Sequence, residues 1–189
     1  MKKDIFAERL KNIGGWIQTY TGKQFWPMEP DVANISIIDI AVSLSRINRF
    51  TGHTTYAYSV AQHSIYVSNI LPPEHQKWGL LHDAHEAYVN DMVSPVKKYF
   101  PLYQEIETKL MEAMAQRFDL TWPVPKAIVE ADYILLATEK RDIMRPAPAP
   151  WGALPKPAPF KIEKWTCDKA YNQFIKRFEE LFGSVKDWT

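Results

Sequence analysis

The stretch LLHDAHEAYVND, Leu80 to Asp91, decides how this sequence is read. It sets five ionisable side chains, His82, Asp83, His85, Glu86 and Asp91, among apolar Leu80, Leu81, Ala84, Ala87 and Tyr88. A segment so apolar is destined for a core, and a carboxylate taken there without a partner is costly. On a helix turning about 100° per residue, Asp83 lies about 100° from His82, and Glu86 about 40° from it, between the pair and one turn on. A divalent cation removes the cost of burial, and His nitrogen with Asp oxygen suits Zn, Mn, Fe or Co. Glu86 sits slightly off the ligand pair, a position suited to polarising a water on the metal.

The sequence on either side of this stretch is also mostly helical. Ser36 to Phe50 repeats Ile37, Ile40, Leu44 and Ile47 at spacings of three and four, with Ser36 as N-cap and Asp39 in the first turn. Tyr58 to Leu71 carries Val60, His63, Val67, Ile70 and Leu71 on one stripe, and Pro72-Pro73 stops it. Glu74 to about Val89 follows as one helix, then a loop with Pro95. Leu102 to Phe118 repeats Leu102, Ile106, Leu110, Ala113 and Met114, and a further helix runs from about Pro125 to Met144. The last helix covers roughly Asp168 to Phe182, with Ala170, Phe174, Phe178 and Leu181 on its apolar face. A short helix over Asp4 to Ile13 is expected before Gly14-Gly15, and Thr19 to Asn34 reads as turn-rich with a short extended piece. The proline-rich run from Pro146 to Pro159 reads as a surface excursion, since too little chain follows it to form another domain. The expected fold is an all-α, single-domain bundle over residues 1–189 with its core at about 36–144.

Composition narrows the function. The chain has 189 residues, 46% hydrophobic and 24% charged, with a net charge of +1. So even a balance gives no general attraction to nucleic acid or an anionic membrane. Asp4, Glu8, Arg9 and Lys11 interrupt the N-terminus, so no secretion signal is expected. No apolar run approaches the roughly 20 residues of a membrane span. Cys167 is the single cysteine, read as a buried or inert thiol, and a cytoplasmic location is expected.

Two residues at His82-Asp83 do not complete a metal site. His63, between Val60 and Val67, points inward, as does Asp132, between Ile128 and Leu135-Leu136. Alone, His63 reads as a hydrogen-bonded core histidine, and Asp132 as the partner of Arg49 or Arg141. Together with His82 and Asp83 they favour a metal on facing helices.

The order of these pieces, His63, then His82-Asp83, then Asp132, resembles the signature of the HD-domain metal-dependent phosphohydrolases. INRF at Ile47–Phe50 resembles the INRW stretch of the bacterial 5'-deoxynucleotidases in that superfamily. HDAHEAYVNDMVSPVK at His82–Lys97 resembles their HDxxExxxxDxxxPxK segment, and EAD at Glu130–Asp132 their ligand-bearing AD. YSVAQHS at Tyr58–Ser64 is similar to small phage and prophage HD proteins, some of whose relatives cleave dATP. The resemblance runs from about Ile37 to Arg141.

It implies a helical fold with one divalent transition metal ion (Co, Mn, Zn or Fe, with Mg also admitted) on His63, His82, Asp83 and Asp132. Glu86 is then the general acid/base, and Asp91 the second acidic residue. Arg49 matches a phosphate-facing arginine and Lys97 is a second phosphate candidate, while His53 and His85, which the resemblance leaves unassigned, read either as phosphate contacts or as a loop histidine and a hydrogen-bonded core histidine. Phe50 stands where the family has a tryptophan against the sugar, so a smaller group guards the 2' position. The implied substrate is a 2'-deoxynucleotide. A monophosphate gives deoxynucleoside plus phosphate, and dATP gives deoxynucleoside plus triphosphate. Arg46, Lys98, Lys140 and Arg141 are further basic residues near the site. Alternatives are another phosphodiesterase of the superfamily or a non-catalytic nucleotide-binding module. A homo-oligomer, dimer or larger, is expected, with Trp151, Trp165 and the proline-rich loop as interface or as a cap over the site.

Overall fold

The computed structural model describes residues 15–189, so the helix expected over Asp4 to Ile13 lies outside the described residues. The fold is all-α with one minor hairpin, strands β1 (Ile17–Gln18) and β2 (Gln24–Phe25), paired antiparallel. This hairpin falls mostly in the turn-rich segment. Asp39, on the first helix, accepts from Thr21 N at 2.7 Å and Thr21 Oγ1 at 2.8 Å. The buried carboxylate therefore pins the hairpin turn to the helix, beyond its role in the first turn.

Helix α1 (Ile37–Arg46) buries Ile37, Ile40, Ala41 and Leu44 completely. Ser36 occupies the N-cap, but its hydroxyl makes no capping bond. The helix stops four residues before the expected Phe50. Asn48 pairs with Ser59 across an isolated bridge, Arg49 N donates to the Tyr58 carbonyl, and Val60 N donates to the Ile47 carbonyl, each 3.0 Å. A bridge partner eleven residues along the chain, Ser59 for Asn48, thus outcompetes the helix. Beyond the bridge the chain turns through Phe50 (φ 56°), Thr51 (φ 53°) and Gly52 (φ 79°). Two consecutive left-handed residues with side chains cost roughly 1–2 kcal/mol each.

Helix α2 (Val60–Ile70) is capped by Ser59, whose Oγ accepts from Gln62 N at 3.2 Å. Helix α3 (Pro73–Leu81) begins on a proline, whose missing N–H is unneeded there. These two pack most closely at Gly79, where a Cβ would fall 2.9 Å from Ser68 Cα and 2.5 Å from Leu71 Cδ1. The expected continuous helix to Val89 breaks. From His82 to His85 the bonds run three residues back, Ala84 N to Leu81 O and Glu86 N to Asp83 O at 3.0 Å, before α4 (Glu86–Val89). In such a tightened turn, residues three apart eclipse, so Glu86 follows Asp83 rather than lying between His82 and Asp83.

Helix α5 (Ser94–Lys97) occupies the loop expected around Pro95, and α6 (Pro101–Arg117) follows. Leu110, Ala113 and Met114 of α6 enter the core and Ile106 packs on it, whereas Leu102 is 61% exposed and leaves the expected stripe. Helix α7 is Lys126–Asp142 and α8 is Cys167–Phe182. Helix α8 packs on α1, α2 and α3, driving Ala170, Phe174 and Phe178 into the core. Cys167 opens α8 and is exposed, correcting its reading as buried. Residues 146–159 form an irregular strap over α7. Thr138 Oγ1 accepts from Ala158 N at 2.9 Å, and Arg141 donates to the Ala158 and Phe160 carbonyls. No helix among the described residues is long and apolar enough to cross a membrane.

Candidate metal centre

Two helices, α2 and α7, and the broken turn between α3 and α4 bring polar side chains together at one point. On α2, Val60 and Val67 are fully buried, and His63 between them is buried with them. Its Nδ1 donates to Glu139 Oε1 at 2.6 Å, which leaves Nε2 facing His82, Asp83 and Asp132. His82 Nδ1 lies 2.9 Å from the Gly79 carbonyl, an acceptor only, so Nδ1 carries the proton and Nε2 offers its lone pair. The two Nε2 atoms are 3.3 Å apart. Asp132 Oδ1, from α7, stands 3.1 Å from His63 Nε2. Asp83 Oδ2 stands 3.2 Å from His82 Nε2 and 3.6 Å from His63 Nε2. One ligand atom each from His63, His82 and Asp132 falls within a mutual 4.8 Å, and the Asp83 carboxylate extends the group.

These residues fit a metal. An ion bound at about 2.0–2.2 Å holds neighbouring ligand atoms roughly 3–3.5 Å apart, and three of the separations here, 3.3, 3.1 and 3.2 Å, fall in that range. A cation bound between these nitrogens and carboxylate oxygens would take the place of a proton on His63 Nε2. The metal ligands' other atoms are held as a metal requires. Glu139 and the Gly79 carbonyl fix the two imidazoles, the arrangement that orients ligating histidines. Glu139 is fully buried and was missed in the sequence.

The charges respond to the same geometry. Burial and the Arg49 charge pull the His63 imidazole down, but Glu139 and Asp132 outweigh them and hold its pKa up at about 9. A cation at Nε2 would draw on those same carboxylates. Burial opposes ionisation of Asp83, yet His82, His63 and Arg49 hold it well below its ordinary range. Asp132, whose side chain is 40% exposed at the rim, is likewise opposed by burial but held near 2 by His63, Arg49 and His82.

Glu86 behaves oppositely. It is 4% exposed, and its Oε2 has no hydrogen-bond partner. Burial first, then the charges of Asp83 and Asp91, raise it well above an ordinary carboxyl. The turn at Asn90 (φ 69°) ends α4 and brings Asp91 back within the field of Glu86. Burial and Asp83 raise Asp91 too, against the pull of Arg49.

The sequence-derived substrate contacts divide. The Arg49 guanidinium lies among Asp83 (3.4 Å), Asp132 (3.7 Å) and Glu139 (3.3 Å), at the metal cluster itself. Burial opposes its charge, but Glu139, Asp132 and Asp83 hold it firmly protonated. Phe50 lies under Arg49, 5.6 Å from guanidinium carbon to ring centroid. Lys97 and His85 converge on Glu107 Oε1, at 2.6 Å and 3.2 Å, which leaves the buried His85 Nδ1 unpartnered. Glu107 is the second residue missed in the sequence. His53 is exposed, and its backbone N donates to the Phe50 carbonyl. Arg141 is committed to Asp142 and the strap, and Arg46 packs over Tyr20. Neither guanidinium belongs to the cluster.

Both missed carboxylates left a trace in the sequence. Glu139 lies seven residues after Asp132 and four after Leu135, on one helical face. Glu107 neighbours Ile106 and lies three before Leu110. Each sits among charged neighbours that also suit a solvated surface.

No protein-family model matches the chain. It is 37% identical over 169 residues to the uncharacterized protein YfdR of Escherichia coli (strain K12), covering 88% of this chain and 95% of that one. It is 34% identical over 142 residues to the uncharacterized protein RCAP_rcc00048 of Rhodobacter capsulatus, covering 68% of this chain and 72% of that one. At that identity and coverage, the chain belongs to the family of YfdR.

Proposed function

We propose that the protein is a metal-dependent phosphohydrolase acting on 2'-deoxynucleotides. One observation carries the reading: His63, His82, Asp83 and Asp132 converge beside a buried carboxyl, Glu86, that has an unpartnered oxygen. That pairing is what metal-assisted hydrolysis needs and what a purely structural cluster lacks. The deoxynucleotide follows from the resemblance of INRF, HDAHEAYVNDMVSPVK and EAD to the deoxynucleotidases.

His63, His82, Asp83 and Asp132 would hold the ion, which supplies a lowered pKa for a bound water and a Lewis acid for a phosphoryl oxygen. Glu86 orients the attacking water and takes its proton. The water oxygen bonds to phosphorus as the phosphorus–O5' bond breaks, and the proton passes to the leaving O5'. Arg49 has its donors at 3.3–3.7 Å from three carboxylates, none in a tight pair, so it keeps donors for a phosphoryl oxygen. Lys97 adds a second charge. Burial opposes that charge, but Glu107, Glu86 and Asp83 hold the ammonium above its ordinary pKa. Asp91 lies on the Glu86 side of the cluster, where it orients the water or meets the sugar hydroxyl. The same reading carries a homo-oligomer in the cytoplasm, and light scattering on the purified protein tests the assembly.

Product analysis by anion exchange is the direct test, with dAMP and dATP as substrates, AMP and ATP as controls, and Mn, Co, Zn or Mg added in turn. Phosphate from dAMP identifies a 5'-deoxynucleotidase, and triphosphate from dATP a triphosphohydrolase. No product with any metal overturns the reading. Glu86→Ala should abolish turnover while bound metal, counted by elemental analysis, stays. A variant that keeps its activity removes Glu86 from the chemistry.

A further inference from the structure

We infer that Phe50 and Trp151 together form a stacking platform for the nucleobase, with Trp151 on the strap supplying a base-binding contact from outside the helices that carry the candidate metal ligands. The inference rests on the nucleotide reading above and deepens it.

Three observations converge. The rings of Phe50 and Trp151 lie 6.1 Å apart at 47°, within the range of an aromatic pair, although 101 residues separate them in the chain. Both residues are half-buried, so each keeps some surface in contact with solvent. Two cations flank the pair: Arg49 lies 5.6 Å from the Phe50 centroid, and the Lys140 ammonium 5.6 Å from that of Trp151. Arg49 is also the cation that touches Asp83 and Asp132. Contacts therefore run in series from the Asp83 and Asp132 carboxylates through the guanidinium, Phe50 and Trp151 to the Lys140 ammonium. A phosphate at the inner end and a base at the aromatic step place the two halves of a nucleotide along that line.

The backbone at both ends is shaped to hold the pair. Phe50 and Thr51 persist in left-handed conformations, which side chains adopt where surrounding structure imposes them and which gather at ligand sites. The strap has no regular structure of its own, yet it is tied to α7 through Thr138, Arg141 and Asp142. Gly152 (φ 80°) turns the chain directly after Trp151. Stacking on an aromatic face requires no hydrogen bond to a base edge and tolerates every base. Base and sugar selection would then be separable, with Trp151 strengthening the binding of any nucleobase and Phe50 also bordering the sugar.

The test is calorimetric titration of Mn-loaded protein carrying Glu86→Gln, with and without Trp151→Ala or Trp151→Phe. The probes are dAMP, dATP and 2-deoxyribose 5-phosphate, which has no base. Trp151→Ala should weaken dAMP and dATP about tenfold, or ~1.4 kcal/mol, while the base-free probe shifts less than twofold and Trp151→Phe recovers most of the loss. Equal weakening of all three probes, or none, overturns the platform. If no nucleotide binds the parent protein, the platform falls together with the nucleotide reading. If binding depends on Trp151 but the unaltered protein turns over no deoxynucleotide, the platform stands and the hydrolytic reading falls.

Discussion

At the scale of single residues, the centre turns on atoms that never touch a metal. Glu139 holds the His63 proton on Nδ1 and leans on Arg49, so it sets which imidazole nitrogen faces the cluster. Glu139→Gln keeps the shape but removes the charge. Metal affinity should fall about 10–100-fold, as measured by competition with a chelating dye, while the circular dichroism spectrum stays unchanged. Unaltered affinity would show that Nδ1 needs only an acceptor. The four candidate ligands were legible because each is polar among apolar neighbours, a local conflict that a sequence displays. Glu139 and Glu107 were not, because a charged residue beside lysines and arginines also reads as solvated surface, and only the fold shows which way it points.

At the scale of elements, periodicity located most helices to within a few residues, and both larger errors fall where residues distant in sequence meet. Ile47 to Arg49 has a helical pattern but extends to pair with Tyr58 to Val60, and no local rule announces a partner strand. The helix carrying His82 tightens where it meets the cluster, because four polar side chains must aim at one point. The strap offers its own test in Asp142, whose side chain is 3% exposed. The Arg141 hydrogen bond first, then the Ile162 N–H and nearby charges, hold its carboxyl below the ordinary range against the effect of burial. Because the folded pKa lies below the unfolded one, the stabilisation is full above about pH 4–5 and drains away as pH falls through the folded value. Asp142→Asn should cost about 1–3 kcal/mol at pH 7 in urea unfolding, with the gap to the parent narrowing below pH 4. A gap constant with pH would assign the effect to shape rather than charge.

At the scale of the whole molecule, an all-α shell wraps a cluster of carboxylates and imidazoles whose charge Arg49 and a protonated His63 balance in part, and an ion bound there would stabilise the folded state by mass action. Chelation should therefore lower the melting temperature. An ion present at 100 times its dissociation constant adds ~2.7 kcal/mol, which for a chain of this size is roughly 5–10 °C. Calorimetry with EDTA, then with Mn restored, reads the difference directly. A melting temperature indifferent to both would mean the cluster holds no ion in the folded state. Four dispersed regions build this centre: the α1–α2 turn with Arg49, helix α2 with His63, the α3–α4 break with His82 and Asp83, and the middle of α7 with Asp132.

Gly79 joins this architecture to the chemistry. Its missing side chain lets α3 press on Ser68 and Leu71, and its carbonyl is the group that receives the His82 proton. Backbone spacing and ligand tautomer are thus controlled at one position that has no functional group to inspect. Gly79→Ala should depress melting temperature and metal affinity together, whereas most core substitutions move only the first. A mutational scan of this family would then rank a bare glycine alongside the histidines, and a designer transplanting the four ligands into another bundle would have to transplant the helix contact with them.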